Sequence, residues 1–485
     1  MKYPMDLLRF FSRNSQAFKT KSIDKLMECT GGDHALKKVL SPLDLTLMGV
    51  GAIVGTGIFV ITGVVAANYS GPALVISFAI AGIVCAFAAL AYAEFAAMVP
   101  VAGSAYTYGY ASLGELFAWI IGWDLILEYS VSIAAVAVGW SGYMTSLATG
   151  AGITIPAALS NPPGVSGGLV NIPAIFIILA VTLLLVIGVR ESARVNTVIV
   201  TIKIGVILLF LFLAFGNIRP ANWVPFMPFG WSGVITGAAI VFFAYIGFDA
   251  VSTAAEEVKD PERNVPLGIL SSLAIATVLY IAVSLVLTGI VSYTLLAGTP
   301  APVAFALEEI GISWGSALVS VGAICGITSV ILVLLYGQTR IFFAMSRDGL
   351  LPGLFRTIHP VYRTPVKVTV LVGVITAVLA GFLPLSTIAE LVNIGTLAAF
   401  VIVSAGIIVL RKTKPDARRP FRCPLVPLIP LLCIISCSAL ILALPLITHL
   451  RFVLWLAAGL FIYFVYSRHH SRINDNTPDL DCWKD

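Results

Sequence analysis

Apolar stretches of about twenty residues, repeated from Leu43 almost to the end of the chain, constrain this sequence more than any other feature. A helix needs about 20 predominantly apolar residues to cross a bilayer, and short polar or Pro- and Gly-rich breaks separate the stretches. Only 11% of the residues are charged and the mean hydropathy is +1.00, whereas a soluble domain carries roughly 25% charged residues. The chain is therefore predicted to be an all-α membrane protein, and an ordinary water-soluble enzyme is excluded.

The apolar stretches predict about twelve transmembrane helices. The predicted spans cover residues 43–67, 72–98, 115–147, 171–189, 194–216, 233–255, 267–292, 314–346, 366–384, 387–410, 427–446 and 451–467. If the N-terminus lies inside, all but three of the 29 Lys and Arg residues fall on cytoplasmic segments, the exceptions being Lys203, Arg219 and Arg451. This asymmetry follows the positive-inside rule, and one missed helix would destroy it. Both termini are therefore expected in the cytoplasm, and the net charge of +5 is a topology signal rather than a sign of nucleic-acid binding.

Cysteine and histidine patterns indicate neither a cofactor nor a metal site. The seven cysteines and five histidines show no metal-ligand spacing, and neither a Gly-x-Ser-x-Gly nor an HExxH motif occurs. A polar, basic tail precedes the first apolar run, where a cleavable signal peptide would place a short apolar stretch. We therefore expect no cofactor and no metal, and an N-terminus that stays inside. A membrane enzyme is a less favoured class.

Two predicted spans contain glycines where a membrane helix is normally continuous. The first, LTLMGVGAIVGTGIFVITG, carries Gly55-Thr56-Gly57 near its middle, and the sixth, GAAIVFFAYIGFDAVSTAAEE, carries Gly247. Glycine costs a helix about 1 kcal/mol relative to alanine, so such clusters favour local unwinding. The first and sixth spans hold corresponding positions in two successive sets of five, a pattern typical of a transporter site at a repeat interface. Close helix packing by small residues is the alternative explanation.

Four segments resemble bacterial members of the amino acid–polyamine–organocation superfamily, and within it permeases related to the cationic amino acid transporters. The segments are GAIVGTGIFV (51–60), GSAYTYGYASLGELFAWIIGWDLILEY (103–129), FFAYIGFDAVSTAAEEVKDPERNVP (242–266) and YGQTRIFFAMSRDGLLP (336–352), and the resemblance covers roughly residues 40 to 460. It implies a LeuT-like fold of two inverted five-helix repeats and two extra helices. The expected division is a cytoplasmic tail (1–42), a first repeat (43–216), a second repeat (217–410), two further helices (411–467) and a cytoplasmic tail (468–485).

The resemblance implies a secondary active transporter that binds an amino acid between the two broken spans. Unwound amides at Gly55, Thr56 and Gly57 suit a carboxylate, because unpaired donors at a helix start favour an anion. Unpaired carbonyls in the sixth span are natural acceptors for an α-ammonium group; they belong to Phe243, Ala244 and Ile246.

The expected substrate is a small neutral L-amino acid such as alanine, because the side chains predicted around the pocket are apolar. They are Ile53, Phe243, Ile246, Val333 and Leu334. None offers a carboxylate to a guanidinium or ammonium side chain, which argues against arginine or lysine. A cationic amino acid carrier or an exchanger on the same scaffold is the runner-up, and a channel is a less favoured class because paired broken helices suit alternating access.

Charged residues within spans cost roughly 2.5–3.5 kcal/mol each at the helix centre, so each needs an explanation. Lys203 lies halfway along the fifth span, and in the resembling family a lysine there occupies the cation site of sodium-coupled relatives. We predict that it couples transport to protons, the alternative being a lysine that snorkels to the interface. Asp124 and Glu128, four apart in the third span, are predicted gate or relay groups or plain bundle contacts. Asp249 is a gate or relay candidate or a helix cap.

The expected surroundings are those of a bacterial cytoplasmic membrane protein. The partners implied are the amino acid, protons as the coupling ion and the lipid bilayer, with no nucleic acid. A small membrane subunit stays open. The charged run from Glu256 to Arg263, at the inner end of the sixth span, is either a solvated loop or an inner-gate network.

Overall fold

The computed structural model describes residues 17–21, 40–101, 103–165, 167–187, 189–359 and 364–474. Within these ranges the regular structure is helical, and the single extended pairing is an isolated parallel bridge between Leu40 and Val258. Most of the two predicted tails, 1–42 and 468–485, lies outside the described residues. The prediction of an all-α protein is confirmed for the described part of the chain.

The longer α-helices fall in the apolar ranges predicted from the sequence, with α3 and α9 between them. In chain order they are α1 (Pro42–Ile53), α2 (Leu74–Met98), α3 (Ala105–Ser112), α4 (Glu115–Gly150), α5 (Ile172–Ile187), α6 (Val189–Phe215), α7 (Gly230–Val241), α8 (Pro261–Ile290), α9 (Pro302–Glu309), α10 (Ser313–Arg347), α11 (Val366–Phe382), α12 (Leu385–Thr413), α13 (Leu428–Leu442) and α14 (Leu446–Ile462).

The helices have the length and composition of a membrane protein. Among the described residues, eight helical ranges are long and apolar enough to cross a membrane, the first being Pro42–Met98, and α5, α11 and α13 are shorter apolar helices. Large apolar side chains point outward from the bundle; Phe212 is 80% and Leu446 84% exposed. Such surfaces are stable when lipid, rather than water, surrounds the protein.

The first span is interrupted where its glycines predict a break. A capping box starts α1: the amide of Asp44 donates to Ser41 Oγ (3.3 Å), and the amide of Ser41 donates to the Asp44 carboxylate (2.9 Å). Helix α1 ends at Ile53, Val54 is extended, and the chain resumes as a π-helix at Gly57–Ile61. From there it continues to residue 70 as short α and π segments.

The sixth span is interrupted as well. Helix α7 ends at Val241, a 3₁₀ turn covers Phe242–Tyr245, and Ile246 is extended. Gly247 has a φ of +115°, a conformation that favours glycine, and a Cβ there would lie 3.0 Å from the Cβ of Ala52. The two interruptions therefore lie against each other.

The break in the first span is surrounded by other helices. Helix α1 packs on α6, α8, α10 and the short helix Ala250–Thr253, while α4 packs on α10, α12, α5 and α11. Helix α14 lies at the periphery and is held to α4 by Trp123 and Trp455, whose indole N–H groups each donate to the other residue's carbonyl (2.9 and 3.2 Å). The predicted binding and coupling residues thus lie inside the bundle.

Candidate substrate and coupling site

The interruption of the first span leaves backbone donors free of hydrogen bonds across the break. The Gly55 carbonyl accepts from the amides of Ile58 and Phe59, both at 3.1 Å, which makes the turn tight. In the described chain, none of the backbone hydrogen bonds that cross the break is donated by the amides of Gly55, Thr56 or Gly57. Anion binding by these three amides stays a prediction.

The glycines at the break also permit close packing, as their alternative explanation predicts. A Cβ at Gly57 would lie 2.3 Å from the Ala244 Cβ of the sixth span, and one at Gly55 would lie 2.5 Å from a methyl carbon of Val330 on α10. Thr56 packs on Gly139 of α4, and its hydroxyl donates to the Val136 carbonyl at 3.4 Å. The break therefore contacts the sixth span, α10 and α4 at once.

The nine residues predicted to bind the substrate are all buried, and the structure brings most of them together. The predicted pocket residues Val333 and Leu334 lie three and four positions beyond Val330 on α10, hence on the same side of that helix. Val330 makes the contact with Gly55, and the sequence reasoning missed it. No local signal distinguishes Val330 from its neighbours in the run SVILVLL.

Tyr280 of α8 is a second residue that the sequence reasoning missed. Its hydroxyl lies 2.8 Å from the Ile53 carbonyl and 2.6 Å from the Ala244 carbonyl. The Ala244 carbonyl therefore has a partner from a third helix. The prediction of an unpaired Phe243 carbonyl is wrong, because that carbonyl accepts the amide of Ile246 in the same turn (3.3 Å). The available signal was a tyrosine within an apolar span, because a buried phenol needs a polar partner.

Lys203 of α6 is fully buried and points at the end of α1, so it does not snorkel to the interface. Its ammonium donates to the carbonyls of Val50 (3.3 Å), Gly51 (3.1 Å) and Val54 (2.5 Å) and to Ser329 Oγ of α10 (3.0 Å). The last carbonyls of a helix lack intrahelical partners, so Lys203 supplies donors that α1 needs. Among the described residues no carboxylate forms an ion pair with it.

The three predicted acidic residues are buried beside the site, with different partners. Asp249 accepts a hydrogen bond from the Tyr129 hydroxyl of α4 (2.8 Å) and makes no side-chain cap on the helix that follows it, so the capping interpretation is wrong. Both carboxylate oxygens of Asp124, and Oε1 of Glu128, have no hydrogen-bond partner among the described residues.

The charged run at the inner end of the sixth span connects to α10. Glu257 accepts from the Tyr336 hydroxyl (2.6 Å) and from Arg340 (3.3 Å), and the Arg340 guanidinium lies 4.9 Å from the centre of the Tyr336 ring. Glu262 pairs with Arg418 at 2.9 Å on the surface. Part of this run thus links helices and is not a plain solvated loop.

A bundle of membrane-crossing helices with two facing interruptions and a buried lysine defines the class of polytopic membrane transporters. The model of the family described as amino acid permease matches residues 40–470, most of the chain. The chain therefore belongs to the amino acid permeases of the amino acid–polyamine–organocation superfamily, and it is a transporter rather than an enzyme. The predicted resemblance is confirmed.

Two bacterial relatives align over nearly the whole chain, and a human relative aligns over four-fifths of it. The branched-chain amino acid permease BcaP of Bacillus subtilis is 52% identical over 460 residues, which are 94% of this chain and 99% of the relative. The methylthioribose transporter of the same organism is 53% identical over 461 residues, covering 95% of this chain and all of the relative. Human cationic amino acid transporter 4 is 41% identical over 404 residues, 80% of this chain and 62% of that protein.

Proposed function

We propose that this protein is a proton-coupled symporter of small neutral L-amino acids, from alanine to the branched-chain residues, working by alternating access. The observation that carries the proposal is the contact between the two interrupted spans, where Gly57 meets Ala244. The turn at Gly55, Thr56 and Gly57 thus lies against the turn of the sixth span that carries Ala244, and this proximity supports the proposal. An α-amino acid carries a carboxylate that suits backbone amides and an ammonium group that suits backbone carbonyls. The name of the Bacillus subtilis branched-chain permease supports aliphatic substrates.

The surroundings of the breaks support a neutral side chain. Ile53, Phe243, Ile246, Val333 and Leu334 are each at least nine-tenths buried, and none carries a charge. A cationic substrate would place an unpaired charge against these side chains, at a large desolvation cost. Small and branched aliphatic amino acids are therefore favoured over arginine and lysine.

The proposed topology is twelve crossings with both termini in the cytoplasm, arranged as two inverted five-helix repeats and two extra helices. The range Pro42–Met98 would extend about 85 Å if helical throughout, more than twice the hydrocarbon core. It therefore accommodates two crossings, divided near Gly71, whose φ is +60°. Interruptions in the first and sixth spans occupy equivalent places in such repeats, which supports the division at residues 43–216, 217–410 and 411–467.

The proposed coupling ion is the proton, carried by Lys203. As an ammonium, Lys203 joins α6 to the end of α1 and to Ser329 of α10. Loss of its proton removes positive charge and one donor from a set of carbonyls, so the inner half of the first span is released. Asp124, Glu128 and Asp249 are proposed as relay or gate groups.

Saturable uptake into proteoliposomes tests the proposed function. Radiolabelled alanine and leucine should be concentrated under an inward proton gradient without sodium, and unlabelled branched-chain amino acids should compete. Efflux that requires an amino acid on the opposite side would indicate an exchanger, and linear, non-saturating flux would indicate a channel. Competition by arginine alone would favour the cationic carrier and contradict the proposed substrate class.

Methylthioribose is a second candidate substrate, favoured by the name of one relative that aligns over its entire length. This thiosugar offers hydroxyl groups in place of an α-carboxylate and an α-ammonium. The same uptake assay separates the two: methylthioribose that outcompetes leucine would assign the site to the sugar.

A further inference from the structure

The hydroxyl of Tyr280 lies between one carbonyl from each interrupted span. It is 2.8 Å from the Ile53 carbonyl at the end of α1 and 2.6 Å from the Ala244 carbonyl in the turn of the sixth span. The side chain is fully buried, and its ring packs at 5.1 Å against both Phe78 and Tyr245. The position of the hydroxyl is therefore set by its surroundings.

A phenol carries a single proton, whereas two acceptors face it. The hydroxyl of Tyr280 can satisfy Ile53 or Ala244, and the other carbonyl then faces an oxygen lone pair across hydrogen-bond distance. A buried carbonyl without a donor is costly. A ligand that brings a donor to Ala244 would release the Tyr280 proton to Ile53. The ammonium group of an amino acid is such a donor.

The Ile53 carbonyl belongs to the same helix end that Lys203 holds. Lys203 donates to the carbonyls of Val50, Gly51 and Val54, and it lies on α6, whereas Tyr280 lies on α8. Ser329 of α10 also donates to the Gly51 carbonyl (3.2 Å), so the end of α1 is held by three side chains from three different helices. One of them also contacts the turn of the sixth span.

We propose that Tyr280 is a positioning residue that connects occupancy of the ammonium site to the end of α1. With an ammonium group on Ala244, the Tyr280 hydroxyl donates fully to Ile53, and the inner half of the first span is fixed to the turn of the sixth span. Without an ammonium group, the proton of the Tyr280 hydroxyl is shared between the Ile53 and Ala244 carbonyls, and the connection between the two spans is weaker. The inference rests on the proposed function, because it assumes that an amino acid binds at Ala244 and that Lys203 carries the proton.

The consequence is a linkage between substrate and proton that passes through Tyr280. Within the described part of the chain, Tyr245 and Cys85 are the titratable side chains that face Tyr280, and the groups that face Lys203 are three carbonyls and Ser329. Binding and protonation that share one structural element must affect each other equally. Removal of the Tyr280 hydroxyl should therefore remove the effect of pH on substrate affinity.

The test measures the dissociation constant of alanine at acidic and at alkaline pH in purified protein. In the parent protein, the dissociation constant should differ clearly between the two pH values, so that the ratio of the two constants (the pH ratio) is far from one. In Tyr280→Phe we expect affinity to fall about five-fold, as for one lost buried hydrogen bond, and the ratio to approach one. The matched control is Tyr143→Phe, which removes a buried hydroxyl that donates to the Phe59 carbonyl of the first span (2.7 Å) outside the site; the ratio should persist there.

The outcomes separate the inference from the proposed function. A ratio preserved in Tyr280→Phe overturns the role of Tyr280 and leaves the symporter intact. If the dissociation constant of alanine in the parent is the same at both pH values, proton coupling itself is contradicted, and so is the proposed role of Tyr280. Propionate provides a measurement that needs no variant, because it has the carboxylate but no ammonium: its inhibition constant in the parent should not depend on pH, and the same ratio as for alanine would refute the proposal.

Discussion

The absence of a side chain at Gly57 allows the backbones of the first and sixth spans to approach closely. The Cα of Ala244 would lie 2.5 Å from a Cβ placed on Gly57, and its Cβ would lie 2.3 Å away. Because one of these atoms is backbone, no rotamer change relieves the clash. The contact requires glycine on one side and a small residue on the other.

Gly57→Val should abolish transport while the protein still inserts into the membrane. Overpacking of a tight contact costs about 1–3 kcal/mol, and here it separates the two interruptions that form the proposed site. We expect uptake of alanine to fall at least about ten-fold, equivalent to about 1.4 kcal/mol. Gly205→Val is the matched control, because a Cβ at Gly205 would meet nothing within 4 Å. Normal kinetics in Gly57→Val would refute the placement of the site.

Shortening a pocket side chain should widen the range of substrates. Val333→Ser and Leu334→Ser each add space and a hydroxyl on the side of α10 that contacts the break, which lowers the steric and desolvation penalties for longer or cationic side chains. The gain for a longer substrate should be roughly 1–3 kcal/mol in relative transport efficiency. The readout is competition of labelled alanine by lysine, methionine and arginine. An unchanged profile in both variants would mean that this side of α10 faces elsewhere.

Among the helices, α2 and α12 are joined near their ends by a buried carboxylate. Glu94 is fully buried; it accepts from Arg411 at 2.6 and 3.1 Å, lies 3.3 Å from Arg419, and accepts the amide of Cys423 at 2.7 Å. Burial, followed by the charge of Glu94, raises the pKa of the Cys423 thiol to about 12. The loop between α12 and α13 is thus drawn onto α2.

Glu94→Gln should destabilise the protein strongly, because it removes the carboxylate charge that pairs with the guanidinium groups of Arg411 and Arg419. Such losses cost about 3–5 kcal/mol, and we expect the lower end because the Arg411 side chain is 28% exposed. Thermal unfolding in detergent is the measurement. The control Glu262→Gln breaks the exposed pair with Arg418 and should cost under about 1 kcal/mol. Faster alkylation of Cys423 in Glu94→Gln alone would show that the loop has been released, and equal melting of both variants would contradict the assignment.

Across the whole molecule, proton coupling requires that one charge connect helices that move relative to each other. Lys203 meets that requirement because its acceptors lie on α1 and α10 while it lies on α6. Its stem packs on Gly326, where a Cβ would lie 2.6 Å from the Lys203 Cδ. The ammonium therefore has little freedom to move without a shift of a helix.

Lys203→Met should remove uptake driven by an inward proton gradient, because methionine fills the space but supplies neither a charge nor donors to α1. Alanine accumulation should fall to the level of passive equilibration, and the parent should not need sodium. Lys259→Met is the control, because it removes a lysine at an exposed position outside the spans and should leave proton-driven uptake unchanged. Concentrative uptake by Lys203→Met, or a sodium requirement in the parent, would contradict the coupling role.

The sequence alone determined the class of protein, because crossing a bilayer demands long apolar helices and local composition is enough to recognise them. The membrane spans between Leu43 and Ser467 and the helix breaks at Gly55 and Gly247 follow from local composition, whereas the burial of Lys203 was decided by the structure, because the sequence left a lysine that snorkels to the interface open. Only the tertiary structure decided which atoms meet across helices. Tyr280 and Val330 have no distinctive neighbours in sequence, and the partner of Asp249 is a tyrosine 120 positions away. Contacts between distant segments depend on how the helices pack, which local sequence patterns do not encode.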